Sequence, residues 1–505
     1  MNGTVPTIQP AAQEFLEATY TGLDYQHGAL LETVDTSQIH SVDADEWLEK
    51  GNWLELGKKI NAEKIFFVRN DPVIVFRAFD KLPSESEILA VFRRTWCMTR
   101  SQYLYLALPG ELRVYGLRQS PPQDIEDSSQ QLAYEAIDKI ADVSVKLSAY
   151  RREQLESGYF PDDRLFGKAD EQADRRLIND LKEVRKQLRN INGLRLEFAH
   201  ALIGRSIFIR YLEDRKVLRP AYFEKVANKH QRDDWLALLD EKTSQQLIQD
   251  EKWQERRYYK VLQDKDFTYA LFEQLAEDFN GDLFPKDVNE KQAVTIDHLR
   301  KLRELLLGDT DPNQPRLWLW AYDFEIVPIE LISSIYEEFY KNEQDDPGTH
   351  YTPSVLVEFV LSQVLPLSYL EANPAAQILD PACGSGIFLV ESYRRLVRYR
   401  IKKKGQPLNS VELREILRDQ IRGIELNSNA AYVAAFSLYL ALLHYQKPSD
   451  ILAQIDVPQS DNKPLPHLIY NADRVGQPNH YGILFNCNAF ALTAAERIHL
   501  SLIHI

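Results

Sequence analysis

The chain has 505 residues, a length typical of about three domains, and its 44% hydrophobic and 27% charged residues are those of an ordinary globular protein. Its formal net charge of −15 argues against a chain that coats nucleic acid non-specifically, although a local basic surface can still bind DNA. Three scattered cysteines argue against a disulfide framework or a zinc site, and the sequence shows neither a signal peptide nor an apolar run of the roughly 20 residues that a membrane helix needs. We therefore expect a soluble cytoplasmic protein with no membrane partner.

Residues 1–118 have the pattern of a small α/β module. Strand-like runs are expected at 64–68 and 72–76, an amphipathic helix at 84–96, and a hairpin between 103 and 115. A Pro- and Gln-containing break follows, and apolar residues at helical spacing then predict an all-helical region over 119–345.

Residues 378–396 have the pattern of a buried strand, a glycine turn and a helix. Pro381 ends the strand because it has no N–H to donate, while Gly384 and Gly386 permit a tight turn and a close approach of the backbone to a ligand. Asp380, at the carboxyl end of the strand, is expected to face the crevice where open α/β sheets bind ligands. A strand–turn–helix without a ligand is the alternative. A dinucleotide-binding site would need a third glycine, and a phosphate-binding P-loop would need a Lys-Ser/Thr pair after its second glycine. This stretch has neither.

The string from Asp380 to Phe388, Asp-Pro-Ala-Cys-Gly-Ser-Gly-Ile-Phe, resembles the S-adenosyl-L-methionine loop of N6-adenine DNA methyltransferases from restriction–modification systems. The resemblance is to the large type IIG and type I modification-subunit-like enzymes. It implies an α/β fold in which an incomplete, Rossmann-like class I methyltransferase domain at 346–505 follows the other two regions. It implies double-stranded DNA as a partner, with restriction or specificity subunits as further candidates. The loop residues that it assigns to the cofactor are Asp380, Pro381, Ala382, Cys383, Gly384, Ser385, Gly386 and Phe388.

Three further elements complete the expected cofactor pocket. Thr352, as N-cap, and Pro353 form a helix start, and by the resemblance Tyr351, Thr352 and Pro353 line the methionine end of the cofactor. Glu425 stands at the tip of the second strand, where a carboxylate accepts the ribose hydroxyls, and a solvent-facing glutamate is the alternative. Asp473 is expected near the adenine ring, although an Asn-Ala-Asp turn needs no ligand.

A basic cluster comes after the glycine loop along the chain. Its members are Arg394, Arg395, Arg398, Arg400, Lys402, Lys403 and Lys404. A solvated helix face is the favoured interpretation, and a DNA-contacting surface is the alternative.

The N-terminal module raises the question of a metal-dependent nuclease. Such sites need a carboxylate on one strand and a Glu-x-Lys pair on the next, to hold magnesium and position water. Asp71 and Glu111 are the only candidates in suitable places, and arginine replaces the lysine after Glu111. We therefore favour a degenerate or accessory module and predict no metal site.

The family's catalytic element is Asn/Asp-Pro-Pro-aromatic, which accepts hydrogen bonds from the adenine amino group and stacks on the flipped base. No Pro-Pro-aromatic follows Glu425, and residues 481–490 have the strand-then-aromatic outline without the prolines. Residues 500–505 resemble a translated sequencing adapter, so we hypothesise a truncated reading frame. We expect weak or absent cofactor binding, no methyl transfer and no assignable catalytic residue in this chain. A non-catalytic subunit that binds cofactor or DNA in a defence assembly is the alternative.

Overall fold

A computed structural model describes most of the chain. The described residues are 10–35, 38–122, 132–159, 161, 171–241, 251–279, 288–308, 319–332, 352–455, 463–477 and 479–493. They form a mixed α/β structure with two compact units, one of residues 1–177 and 321–328 and the other of residues 178–320 and 329–505. Domain boundaries after residues 118 and 345, which the sequence suggests, stay predictions. Among the described helices, none has both the length and the apolar character needed to cross a membrane.

The first unit is built on a mixed six-stranded sheet. Its strands, in chain order and in spatial order, are β1 Ala29–Glu32, β2 Lys64–Val68, β3 Asp71–Ala78, β4 Tyr103–Leu108, β5 Glu111–Gly116 and β6 Tyr134–Ile137. β3 and β4 run parallel, and the other neighbouring pairs are antiparallel. The helices are α1 Ala12–Gly22, α2 Ala44–Lys59, α3 Glu85–Trp96, α4 Val143–Lys146 and α5 Arg152–Glu156. The predicted strands and hairpin are confirmed, and so is the predicted helix, which is α3 and connects the two parallel strands.

Residues 134–137 correct the prediction of an all-helical region from residue 119. They form β6, which pairs antiparallel with β5. The ring centroid of Tyr134 lies 5.1 Å from that of Tyr115 and 4.9 Å from the Arg113 guanidinium. A strand of four residues is too short for its alternation to stand out in the sequence, so its pairing partner decides the conformation.

The second unit begins with helices. They are α6 Ala173–Asn190, in which the division between the units falls, α7 Leu196–Asp214, α8 Pro220–Lys229, α9 Asp233–Asp240, α10 Glu251–Glu255, α11 Tyr258–Val261, α12 Lys265–Phe279, α13 Val288–Ala293 and α14 Ile296–Leu307. Two adjacent carboxylates at the end of α7 bind the short connection between α10 and α11. Asp214 accepts from the buried Arg256 at 2.7 and 3.1 Å, and Glu213 accepts from the N–H groups of Arg257 and Tyr258 at the start of α11.

A four-stranded parallel sheet lies in the same unit. Its strands are β7 Ile378–Asp380, β8 Ile421–Glu425, β9 His467–Ile469 and β10 His480–Asn486, in the spatial order β7-β8-β10-β9. The helices of this part are α15 Ser354–Val364, α16 Leu367–Ala372, α17 Ile387–Lys404, α18 Ser410–Gln420, α19 Ser428–Tyr445 and α20 Pro448–Ile455. Because neighbouring strands are parallel, their carboxyl ends meet at one edge. Asp380, Glu425 and Asn486 therefore end three strands on the same side.

Three arginines of the basic cluster are buried in α17, which corrects the expected solvated helix face for those three, whereas Lys403 and Lys404 are exposed as expected. Arg394, Arg395 and Arg398 are each at most 5% exposed. Arg394 forms ion pairs with Glu330 and Glu391, and Arg395 Nε donates to a backbone carbonyl at the end of α15 at 2.7 Å. Buried charges need such partners, so Arg394 and Arg395 hold α17 to its neighbours within the protein.

Candidate functional site

The glycine loop joins β7 to α17 through residues 381–386. Gly384 and Gly386 have φ angles of 54° and 83°, in the left-handed region that favours glycine. A Cβ at Gly386 would lie 2.8 Å from the Cβ of Ala434, so the loop packs against α19 with no room for a side chain. A Cβ at Gly384 would meet no atom of the residues that the structure describes within 4 Å. The loop is therefore packed on one side and open on the other.

Asp380 is a partly buried carboxylate at the end of β7. Its Oδ1 accepts a hydrogen bond from the backbone N–H of Ala382 at 3.1 Å. Burial raises the pKa of the carboxyl group, the Ala382 hydrogen bond opposes that rise, and the nearby charge of Glu425 adds to it. Two carboxylates at neighbouring strand ends make this edge suitable for hydroxyl donors and cationic groups.

Glu425 connects the glycine loop to the start of α19. Its Oε2 accepts from the backbone N–H of Gly384 at 2.8 Å, and its Oε1 accepts from the N–H of Asn427 at 2.7 Å. The N–H of Cys383 donates to the carbonyl of Ile424 at 3.0 Å, so the loop lies against the end of β8. The carboxylate is thus held in place by backbone donors from both sides.

Asn486, at the end of β10, also contacts the end of β8. Its Nδ2 donates to the carbonyl oxygens of Glu425 and Leu426 at 2.9 and 3.0 Å. The side chain of Leu426, the residue after Glu425, is 71% exposed. Sequence reasoning recognised the strand outline of this segment but gave Asn486 no function, because the contact depends on which strand lies beside β8.

The sequence of this region matches a known family. Residues 367–466 fit the family model described as MmeI, DNA-methyltransferase domain. The chain is 26% identical over 275 residues to the adenine-specific methyltransferase PglX of Streptomyces coelicolor. It is also 26% identical over 211 residues to the type II restriction enzyme and methyltransferase RM.Eco57I of Escherichia coli. The resemblance to restriction–modification methyltransferases is confirmed.

The matches cover part of each protein. They include 49% and 34% of this chain but only 20% and 21% of the two relatives, so the matched region spans about a fifth of the length of these curated relatives. The segment that fits the methyltransferase family model contains the glycine loop and Glu425, and it ends before Asp473.

Solved structures similar to the chain are restriction–modification enzymes. The type IIL enzyme MmeI in complex with DNA is 18% identical with a TM-score of 0.32, over 63% of this chain and 40% of that chain. A DrdV–DNA complex is 13% identical with a TM-score of 0.31, over 86% of this chain and 39% of that chain. TM-scores at this level do not establish a shared fold, so the site depends on this chain's own geometry.

Helix α15, which precedes the segment 367–466, begins one residue later than the sequence predicts. Tyr351 lies outside the described residues. Pro353, with φ −56° and ψ 138°, is the N-cap, and α15 begins at Ser354 with no side-chain cap. The prediction of Thr352 as N-cap is therefore wrong, because the extended ψ of Pro353 keeps that residue outside the helix. α15 packs against α17, the glycine-loop helix. A role for residues 351–353 at the methionine end of the cofactor stays a prediction.

Asp473 lies at the same edge of the sheet but farther from the glycine loop. It follows β9, and β10 separates β9 from β8, so about 10 Å, or two strand spacings, lies between those strands. The N–H of Asp473 donates to Asn471 Oδ1 at 2.9 Å, and this contact stabilises a local turn. Its carboxylate is exposed. A role at the adenine ring stays a prediction.

The other loop residues differ in exposure. Pro381 and Ala382 are exposed, and Ser385 and Phe388 are partly buried. Cys383 is 5% exposed, and burial raises the pKa of its thiol far above the ordinary value. A thiol that stays protonated is a poor nucleophile. A role of these loop residues in cofactor binding stays a prediction.

The two carboxylates considered for a nuclease lie at opposite ends of the first sheet. Asp71 is the first residue of β3. Ala78, the last residue of β3, pairs with Ala107, and the next residue of β4, Leu108, pairs with Glu111. Eight residue steps of about 3.3 Å place them about 26 Å apart along the strands. Asp71 accepts from Arg100 Nε at 2.5 Å, and Glu111 accepts from Arg113 Nε at 2.7 Å. These two residues therefore do not share a metal ion, and within the described ranges no cluster of three metal-ligating side chains is found.

Proposed function

We propose that the carboxyl edge of the parallel sheet binds S-adenosyl-L-methionine in a Rossmann-like class I methyltransferase domain. For the whole protein we propose DNA adenine-N6 methylation in a restriction–modification or related defence system. It would act in the cytoplasm on double-stranded DNA. The main support is the convergence of an open glycine loop with two strand-end acids, in which Gly384 and Glu425 are joined at 2.8 Å. The similarity to an adenine-specific methyltransferase supports the reaction class.

The residues at this edge fit the cofactor. A carboxylate has about four lone-pair positions, so Glu425 can accept two ribose hydroxyls in addition to the N–H groups of Gly384 and Asn427. Asp380 beside the loop suits the cationic methionine end. The open side of Gly384 leaves room for a ligand against the backbone. The exposed Leu426 adjoins Glu425 and offers an apolar contact to a flat adenine ring.

The reaction needs positioning more than proton transfer from this chain. When bound, S-adenosyl-L-methionine supplies an electrophilic methyl group on its sulfonium. Asp380 and the glycine loop would hold the methionine end, and Glu425 would hold the ribose. The amino nitrogen of a flipped adenine would form a bond to the methyl carbon while the carbon–sulfur bond breaks, so that S-adenosyl-L-homocysteine would leave as a neutral thioether and the amino proton would pass to water. Alignment of the two reactants would supply most of the acceleration. The sequence after Glu425 has no Pro-Pro-aromatic element, so no residue of this chain is assigned a catalytic role.

Ligand-dependent unfolding of the 505-residue chain tests the site. The sequence alone led us to expect weak or absent binding, and the glycine loop with its two strand-end acids favours weak binding over none. S-adenosyl-L-methionine at millimolar concentration is therefore expected to raise the melting temperature, whereas NAD is not, because a ligand that binds the native state stabilises it. Glu425→Ala removes the ribose acceptor and is expected to raise the Kd at least about tenfold, since a hydrogen bond to a charged group contributes about 1.5–3 kcal/mol.

The control for this experiment is Glu415→Ala, which removes an exposed carboxylate of α18 and should leave the ligand-induced shift unchanged. Absence of any shift in the wild-type chain at saturating ligand would contradict the proposal. Equal affinity in the Glu425→Ala variant would contradict the assignment of the ribose acid.

A non-catalytic subunit is the second candidate, and the missing Pro-Pro-aromatic element favours it. Such a subunit keeps cofactor affinity and transfers no methyl group. Incubation of the chain with adenine-containing duplex DNA and cofactor carrying a tritiated methyl group distinguishes the two. We expect no tritium on the DNA from this chain, and incorporation above a protein-free control would contradict that expectation.

A further inference from the structure

The tip of β10 carries a polar side chain to which the proposed cofactor site gives no function. Asn486 is the register partner of Glu425, at the last paired position of β8 and β10. Its Nδ2 lies 2.9 Å from the carbonyl oxygen of Glu425 and 3.0 Å from that of Leu426. An amide nitrogen carries two N–H groups, so it donates to both carbonyls at once.

We propose that Asn486 is a positioning residue that orients Glu425 and, through it, the ribose of the cofactor. This inference rests on the proposed cofactor site. β10 ends at Asn486, so its backbone supplies no further ladder hydrogen bond where the chain leaves β8 at Leu426. The Asn486 side chain supplies the donor there and extends the pairing by one residue. The backbone that carries the carboxylate is thereby held in one conformation.

The other hydrogen bonds of residues 425–427, which connect β8 to α19, come from different elements. Gly384 donates to the Glu425 carboxylate from the glycine loop, and Asn427 donates to it from the start of α19. Asn427 in turn caps α19, since its Oδ1 accepts from the N–H groups of Asn429 and Ala430 at 2.9 and 3.3 Å. Those contacts fix the carboxylate and the helix start, whereas Asn486 fixes the carbonyls between them.

Calorimetric titration of the full chain with S-adenosyl-L-methionine tests this function. Asn486→Ala is expected to raise the Kd about tenfold, with little change in the melting temperature of the ligand-free protein because Asn486 is exposed. Asn486→Asp should weaken binding further, because a carboxylate has no N–H to donate and would face two carbonyl oxygens. Asn228→Ala, at an exposed position at the end of α8, is the matched control and should bind like the wild type.

A double-mutant cycle separates positioning from a general structural effect. In a Glu425→Gln background, which keeps one side-chain acceptor, the tenfold effect of Asn486→Ala should largely disappear, because both changes act on one interaction. A tenfold effect that persists in that background would overturn the inference. Equal binding by the wild type and Asn486→Ala would overturn it and leave the proposed function intact. Absence of binding by the wild type would overturn both.

Discussion

The two sheets of this protein treat the polar groups at their strand ends differently. In the mixed sheet, Asp71 and Glu111 lie at opposite ends, and each is paired with an arginine side chain. In the parallel sheet, Asp380 and Glu425 lie side by side at one edge, and backbone N–H groups hold them. Strand direction explains the contrast, since parallel strands bring their carboxyl ends together and antiparallel strands alternate them.

The difference shows what makes strand-end carboxylates suitable for ligand binding. An arginine neutralises its carboxylate and occupies its acceptor positions. A backbone N–H occupies one acceptor position and leaves the negative charge in place, so hydroxyl or cationic groups of a ligand can still bind. We therefore expect the parallel edge, and not Asp71 and Glu111 in the mixed sheet, to respond to S-adenosyl-L-methionine.

The largest expected effect concerns the packed side of the glycine loop. Gly386→Val should destabilise the protein by about 3 kcal/mol, because it adds a strained left-handed residue and overpacks the contact with Ala434. Gly384→Ala has the same backbone strain without the clash and should cost about 1 kcal/mol. Urea unfolding followed by circular dichroism measures both. Equal costs would show that the close approach to α19 is unimportant.

A smaller effect is expected for the arginine-paired carboxylates of the mixed sheet. Asp71→Asn and Glu111→Gln should each lower the free energy of unfolding by at most about 1 kcal/mol, because both ion pairs are partly exposed. Magnesium should stabilise neither the wild type nor the variants in thermal unfolding. A magnesium-dependent rise in melting temperature that Asp71→Asn abolishes would show that the comparison of the two sheets is wrong.

The smallest expected effect is a pH dependence of opposite sign in the two sheet regions. The pKa of Asp380 is raised above its ordinary value of 3.8, so the native state binds more protons, and the contribution of this group to stability falls as the pH rises above 3.8. The pKa of Glu87 is lowered by hydrogen bonds from the backbone N–H and hydroxyl of Ser84. The stabilisation from Glu87 is therefore lost as the pH falls below its ordinary value of 4.5.

Chemical unfolding across this pH range checks both signs. The free energy of unfolding that the wild type has in excess of Asp380→Asn should be larger at low pH than at neutral pH. The excess over Glu87→Gln should be larger at neutral pH than at low pH. The same sign for both variants would contradict the burial argument for Asp380.

Local sequence patterns predicted the elements whose conformation depends on residues close by along the chain. The amphipathic pattern over residues 84–96 predicted α3, and Gly384 and Gly386 predicted the tight turn, because glycine tolerates the left-handed φ angles found there. The burial of Arg394 was not predictable, because a run of basic residues gives no sign of the distant Glu330 that neutralises it. β6 was missed because four residues carry too little periodicity.

The sequence by itself determined the strand, the glycine turn, the helix after it, and the acid at the end of the next strand, since each depends on backbone chemistry within a few residues. Only the tertiary structure decided that β10 lies between β8 and β9, and with it that Asn486, and not Asp473, adjoins Glu425. Strand order is set by packing among segments tens of residues apart. Local propensity contains no information about that packing, and so the neighbours of the acid were decided by the assembled sheet.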